Sequence, residues 1–168
     1  DECQILMFCG GFSAGDEPDG SGKFIANVLN NEKIAAAVEA LIARGGLILG
    51  ICNGFQALVK SGLLPYGHLG CVTKDSPTLF RNDINRHISQ IAFTRVASVN
   101  SPWLAGMNIG DTYGISVSHG EGKFVVNEEL AKELFANGQV AFQYAEPIDE
   151  DVTMRSPNNP NGSYYAIE

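Results

Sequence analysis

The stretch that most constrains this chain runs Leu47-Ile48-Leu49-Gly50-Ile51-Cys52-Asn53-Gly54-Phe55-Gln56-Ala57-Leu58. Its first four residues read as a short buried parallel strand. Phe55, Leu58 and Val59 recur at helical spacing, which predicts a helix starting directly after Cys52. Gly50-Ile51-Cys52-Asn53-Gly54 between them is a G-x-C-x-G with the form of a nucleophile elbow. On so sharp a strand-to-helix turn, side chains two positions either side of the central residue would strike neighbouring backbone. Glycines at those positions leave room, and the central side chain is carried out over the carboxyl end of the sheet. Cys52 then has two readings. It is either a small buried hydrophobe between two chance glycines, or a thiol whose ionised, reactive form is favoured by the first-turn N–H groups and the positive end of the helix dipole. The strand before it, the helix after it and the loop near the start of the chain favour the second.

The 168 residues are enough for one domain with a sizeable core. Nineteen acidic against 11 basic residues give a net charge of −8, which argues against nucleic acid or an anionic membrane as a partner. No apolar run approaches the roughly 18 residues needed to cross a bilayer, and no signal peptide is expected. Cys3, Cys9, Cys52 and Cys71 form no C-x-x-C and no disulfide-framework spacing, so a reducing cytoplasm is the simplest setting. The chain opens on Asp1-Glu2 without an initiating methionine and stops inside Tyr164-Tyr165-Ala166-Ile167-Glu168, which reads as another strand. Both ends are expected to be cut.

In chain order, Gln4 to Cys9 reads as a buried strand and runs into a long glycine-rich loop, Gly10 to Gly22. Helices are expected over Lys23–Leu29 and Glu32–Arg44. The second has Ile34, Val38, Leu41 and Ile42 on one stripe, Asn31 as its cap and Gly45-Gly46 as its stop. Gly62 to Ser76 is turn-rich, and His87 to Val99 has the β-branched content of a strand. Ser101-Pro102-Trp103-Leu104 reads as a short helical turn begun by a proline. A strand over Gly114–Ser118 leads into His119-Gly120-Glu121-Gly122 and is followed by Lys123 to Val126. Asn127 caps a helix carrying Leu130, Leu134 and Phe135, which closes at Asn137-Gly138. Val140 to Tyr144 is a further strand, and Glu146 to Gly162 an acidic loop rich in Pro and Asn. This alternation predicts an α/β fold, a mostly parallel sheet with helices on both faces. The Gly10 loop, Cys52 and the His119 loop each follow a strand, so they are expected to meet at the carboxyl edge, where such sheets bind ligands.

A phosphate loop ending at Lys23 would need glycine at position 17 and Ser or Thr at 24, where the chain has Glu17 and Phe24. An oxyanion hole fits the Gly10 loop better, with backbone N–H groups near Gly11 and Phe12 joining that of Asn53 above Cys52. A surface turn without a ligand is the plainer reading. A cysteine enzyme also needs a general base. His68 reads as solvated and His87 as structural. His119 stands on the one loop able to reach the site, in a setting that suits a backbone ligand clamp as well as an acid–base pair. No His or Cys pair has metal-ligand spacing.

Taken together, these segments resemble the class I (triad-type) glutamine amidotransferases, most closely the glutaminase domains of the phosphoribosylformylglycinamidine synthases. The likeness lies in Gly10 to Phe24, Gly50 to Leu58, Ser101 to Leu104, Ser118 to Gly122 and Asn159-Pro160-Asn161-Gly162-Ser163, in that order. It implies a flavodoxin-like domain in which Cys52 attacks the side-chain amide of glutamine, releases ammonia and leaves a γ-glutamyl thioester for hydrolysis. It places Gly11 and Asn53 at the oxyanion hole. It makes Gly10, Phe12, Gln56, Ser118, His119 and Gly120 contacts to glutamine, so His119 becomes a binder rather than the base. It implies no cofactor in this domain and a partner synthetase, using ATP and Mg, that receives the ammonia.

The chain departs from the family pattern in three places. The catalytic pair of the family stands in a His-x-Glu segment beyond the Asn-Pro-Asn-Gly-Ser loop, whereas the one His-x-Glu here, His119-Gly120-Glu121, precedes that loop. The strand and helix that usually precede the glycine loop are missing, and Cys9 stands where a proline is usual. The expectation is an incomplete domain, with a nucleophile and pocket but very weak turnover of its own. The competing readings are another cysteine-elbow α/β hydrolase, peptidase- or deglycase-like, and a non-catalytic scaffold that docks on a synthetase.

Overall fold

The strand near the start of the chain and the strand of the elbow pair directly. β1 (Ile5–Phe8) runs parallel to β2 (Leu47–Gly50), with Ile5 opposite Leu47 and Phe8 opposite Gly50. The ladder continues past both ends, as the N–H of Leu47 donates to Gln4 O at 2.9 Å and that of Ile51 to Phe8 O at 3.0 Å. The computed structural model describes residues 3–11 and 22–168, and the chain divides into two compact units, Asp1–Thr78 and Leu79–Glu168.

A parallel pair needs a long crossover. In the first unit α1 (Lys23–Leu29) and α2 (Glu32–Ala43) lie between the two strands in sequence. The Asn31 side chain accepts the Lys33 N–H at 3.2 Å and caps α2. The helix stops where Gly45 takes a φ of +81°. Gly45 N–H then reaches Ile42 O and Gly46 N–H reaches Leu41 O, both at 2.9 Å, the pairing of a Schellman cap. Val38 and Leu41 are buried, whereas Ile34 and Ile42, expected on the same stripe, stay more than a third exposed.

After the elbow come α3 (Asn53–Ser61), closed by Gly62 at φ +87°, and the single turn α4 (Leu63–Tyr66), broken at Leu64. Leu29, Val38, Leu58 and Leu63 form the core, with Leu6, Phe8, Ile25 and Ile48 packed against it. Alternate residues of β1 face away from it, and Ile5 and Met7 are about half exposed (51% and 52%). The expected fully buried strand is therefore buried on one face only.

In the second unit β3 (Thr78–Phe80) pairs with β6 (Lys123–Val125). A three-stranded sheet has β4 (Ile88–Val96) between β5 (Thr112–His119) and β7 (Phe142–Tyr144). Both neighbours are antiparallel to β4, with Ile88 opposite His119, Arg95 opposite Thr112 and Val96 opposite Phe142. Asn127 Oδ1 accepts the Leu130 N–H at 2.8 Å and starts α5 (Glu128–Ala136). Ser101 caps a 3₁₀ turn over Pro102–Leu104. Ile88, Ala92, Val117, Tyr144 and Ala166 make the core of this unit.

The α/β class stands, and the chain is mixed in pairing: parallel in the first unit, antiparallel in the second. Strand composition reports half-buried surface rather than direction. The connection from β4 to β5 also holds no crossover helix, only a 3₁₀ turn, so a parallel pairing had nothing to carry it. A second expectation fails at Tyr164–Glu168. This stretch forms a 3₁₀ turn over Tyr164–Ala166, with Tyr165 and Ala166 at positive φ, before Ile167 makes an isolated bridge to Gln143. The Gln143 side chain donates to Tyr165 O at 2.8 Å and holds the bend.

Candidate active site

Cys52 stands between β2 and α3 at φ +53°, ψ −111°, a conformation an L-residue adopts only under constraint. The constraint is backbone. Gly54 N–H donates to Ile51 O at 2.9 Å and Gln56 N–H to Cys52 O at 3.0 Å, so the turn closes on both sides of the cysteine. The flanking glycines do what the spacing requires. A Cβ on Gly50 would stand 2.6 Å from Leu58 Cδ1 and 2.8 Å from Phe55 N. One on Gly54 would overlap Phe8 O and stand 2.6 Å from its carbonyl carbon. The Cys52 thiol is free and exposed, so the reading of Cys52 as a buried hydrophobe fails.

Gly10 lies over this turn. A Cβ on it would be 3.0 Å from Cys52 Cβ, tighter than an ordinary contact, and 3.8 Å from Sγ, so a side chain here would press on the cysteine. Gly11 follows at φ +111° with open space where a side chain would be. Gly22, at φ +80°, is seated on the same helix, where a Cβ would come within 2.6 Å of Ala57 N and 2.9 Å of the Gln56 carbonyl carbon. Residues on both sides of the glycine loop thus touch the elbow or its helix. Phe12, expected to contact a ligand, lies outside the described residues, as does the rest of the loop through Ser21. Asn53 and Gln56 are on the first turn of α3 and both are buried.

Ser118, His119 and Gly120 belong to the second unit, at and just beyond the end of β5. Ser118 Oγ is 3.0 Å from His87 Nε2. The His119 ring lies against Gly122, where a Cβ would stand 2.5 Å from Nε2, and its Nδ1 is enclosed without a hydrogen-bond partner. Burial pushes the imidazole below its ordinary pKa, and the nearby His87 acts in the same direction. A neutral ring follows at neutral pH. His68 is exposed, and His87, expected to be structural, is exposed as well but engages Ser118. Among the described residues no group of three or more His, Cys, Asp or Glu is placed to hold a metal ion, and no helix is long and apolar enough to cross a membrane.

Two asparagines grip the segment after His119. Asn82 Nδ2 donates to His119 O at 2.9 Å and to Arg86 O at 3.0 Å, and Asn82 Oδ1 accepts the Gly122 N–H at 3.1 Å. Asn161 Nδ2 donates to Gly122 O at 2.8 Å and to the Tyr144 hydroxyl at 2.9 Å. Asn161 lies in a segment already singled out in the sequence, whereas Asn82 carried no local signal. It resembles an ordinary turn asparagine, and its partners lie 37 and 40 positions away.

A family model, the CobB/CobQ-like glutamine amidotransferase domain, matches residues 1–168. The chain belongs to this family. Among curated relatives of this glutamine amidotransferase domain, the "Phosphoribosylformylglycinamidine synthase subunit PurQ" of Gloeobacter violaceus is 32% identical over 167 residues, covering 99% of this chain and 64% of the relative. The protein of the same name from Methanococcus maripaludis is 36% identical over 166 residues, covering 98% of this chain and 59% of the relative. A solved structure described as "Structure of PurLQS from Thermotoga maritima" has a TM-score of 0.67 at 27% identity, over 98% of this chain and 60% of that one. The domain therefore spans about three fifths of the length of these relatives.

Proposed function

We propose that the chain is the glutaminase part of a phosphoribosylformylglycinamidine synthase, with Cys52 as its nucleophile. The observation that carries this is the strained, exposed Cys52 under the close approach of Gly10, in a chain of this family. The Cys52 thiolate attacks the side-chain amide carbon of glutamine. The carbonyl oxygen, now negative, is received by the backbone N–H groups of Gly11 and Asn53. In sites of this kind, losing one such donor costs about 10²–10³ in rate. The C–N bond breaks as the departing nitrogen takes up the proton released when the thiol ionised and leaves as ammonia; water then adds to the γ-glutamyl thioester and displaces the sulfur, giving glutamate and the restored thiol. Gly10, Phe12, Gln56, Ser118, His119 and Gly120 bind the glutamine, with a neutral His119 recognising rather than transferring protons.

The ammonia passes to a synthetase subunit or domain, and ATP and Mg²⁺ act there. The synthetase uses the ammonia to convert formylglycinamide ribonucleotide to the amidine, a step of purine biosynthesis, in the cytoplasm. Neither nucleic acid nor membrane enters this scheme. The one His-x-Glu, His119-Gly120-Glu121, stands before the Asn159-Pro160-Asn161-Gly162-Ser163 loop rather than beyond it, and His119 is assigned here to binding glutamine. The 168 residues on their own are therefore expected to turn over glutamine very weakly while keeping a reactive Cys52.

The test is mass spectrometry after treatment with a chloroketone analogue of glutamine. Labelling confined to Cys52 and blocked by free glutamine supports the reading. Equal labelling of Cys3, Cys9 and Cys71, unaffected by glutamine, overturns it.

A further inference from the structure

We infer that Asn82 is a positioning residue for glutamine recognition, acting through the segment His119-Gly120-Glu121-Gly122. The inference rests on the proposed glutamine-binding role of Ser118, His119 and Gly120.

Asn82 is 2% exposed, so every polar atom of its side chain must find a partner inside the protein. The amide does so with two donations, to His119 O and Arg86 O, and one acceptance, from Gly122 N–H. Its own backbone N–H donates to Gly120 O at 3.0 Å, and its carbonyl accepts from Asn85 N–H at 2.8 Å. One residue thus fixes the carbonyls of His119 and Gly120 and the N–H of Gly122. A strand that ends at His119 would otherwise leave these groups to water. Held by Asn82, the backbone from His119 to Gly122 has a single course, and the exposed Ser118 and partly exposed Gly120 are presented in one arrangement. A ligand recognised by backbone groups needs them placed before it arrives, because ordering the loop on binding would weaken the affinity.

Only an amide fits this place. A carboxylate could accept from Gly122 N–H but could not donate to two carbonyls, and a serine has one O–H for the two carbonyls and a shorter side chain. Asn82→Asp keeps the shape and loses both donations. Asn82→Ser loses the reach. Neither change touches the elbow, which is built from β1, β2 and α3.

The experiment measures covalent labelling of Cys52 in the full chain by a diazoketone analogue of glutamine, as a function of reagent concentration. The rate with iodoacetamide, which needs no glutamine pocket, is taken in parallel. Both Asn82 variants should raise the half-saturating concentration roughly tenfold or more, the scale of one or two orphaned buried groups. The limiting rate and the iodoacetamide rate should stay within a few-fold of the parent. A folded Asn82 variant with unchanged half-saturation overturns the proposal, as does a uniform loss in all three quantities, which marks a purely structural residue.

Should both variants fail to fold, the unsubstituted chain decides. The side-chain amide proton signals of Asn82 should shift when glutamine is added, and their indifference to saturating glutamine overturns the proposal. If the parent chain shows no saturation with the analogue and no protection by glutamine, the glutamine-site reading itself fails and takes this inference with it. That failure appears in the parent rather than in the variants.

Discussion

Gly10 and Cys52 share one small space: a methyl group on the glycine would lie 3.0 Å from the cysteine Cβ and 3.8 Å from its sulfur. The approach makes Gly10 a gatekeeper for the thiol. Gly10→Val should slow alkylation of Cys52 by iodoacetamide about tenfold or more, since small displacements at a reacting atom cost rate steeply. Thermal unfolding should move little, because residue 10 is exposed. An unchanged alkylation rate would show that the loop yields freely.

The strain at Cys52 should be recoverable as stability. A φ of +53° with ψ of −111° suits glycine, and relieving such a conformation is worth about 1–3 kcal/mol. Cys52→Gly should therefore raise the free energy of urea unfolding by about 1 kcal/mol while abolishing all glutamine-protected labelling. A destabilised Cys52→Gly chain would mean that the turn is not held against its own preference.

Gly54 has the least room of any residue at the elbow. Its missing side chain would overlap the Phe8 carbonyl oxygen, which belongs to β1 backbone and cannot swing aside. Gly54→Ala should destabilise the first unit by about 3 kcal/mol or more, measured by chemical unfolding. Asn31→Ala, which removes a helix cap far from the elbow, should cost only about 1 kcal/mol.

His119 should make stability pH-dependent in a defined direction. Burial, its largest cause, sets the folded pKa below the unfolded value of 6.5, and the nearby His87 adds to it. Below pH 6.5 the unfolded chain therefore takes up a proton on this residue before the folded chain does. The contribution of the neutral ring is fully present above 6.5 and is lost as pH falls through the interval between the two values, levelling off below the folded pKa. The melting temperature should rise with pH up to about 6.5, and His119→Gln should flatten that rise. A parent and variant with parallel profiles would place the proton elsewhere.

How much could be read from the chain itself follows from where each constraint resides. The elbow was legible because its glycines answer to local geometry: the turn that strains Cys52 also forbids side chains at 50 and 54. The caps at Asn31 and Asn127, the proline-begun turn at Pro102 and the stop at Gly45-Gly46 were legible for the same reason, as each acts within a few residues. Features set at long range were not. Nothing in Ile88–Val96 announces antiparallel neighbours, and the bend at Tyr165 depends on a glutamine 22 positions earlier. The exposed Ile5 and Met7 escaped notice because an apolar run does not say how many of its faces are covered. Asn82 is the sharpest case, since it makes its decisive contacts across 37 and 40 positions and has no motif of its own.

The carbonyl of Phe8 has two duties: it receives the N–H of Ile51 and it fills the place where a side chain on Gly54 would be. The sulfur is thereby indexed to the backbone of the neighbouring strand rather than to surrounding side chains. Drift in the hydrophobic residues nearby can be absorbed by repacking without moving the thiol. Inserting or deleting a single residue within Ile5–Phe8 would shift the register of β1 on β2, the frame from which its position is set.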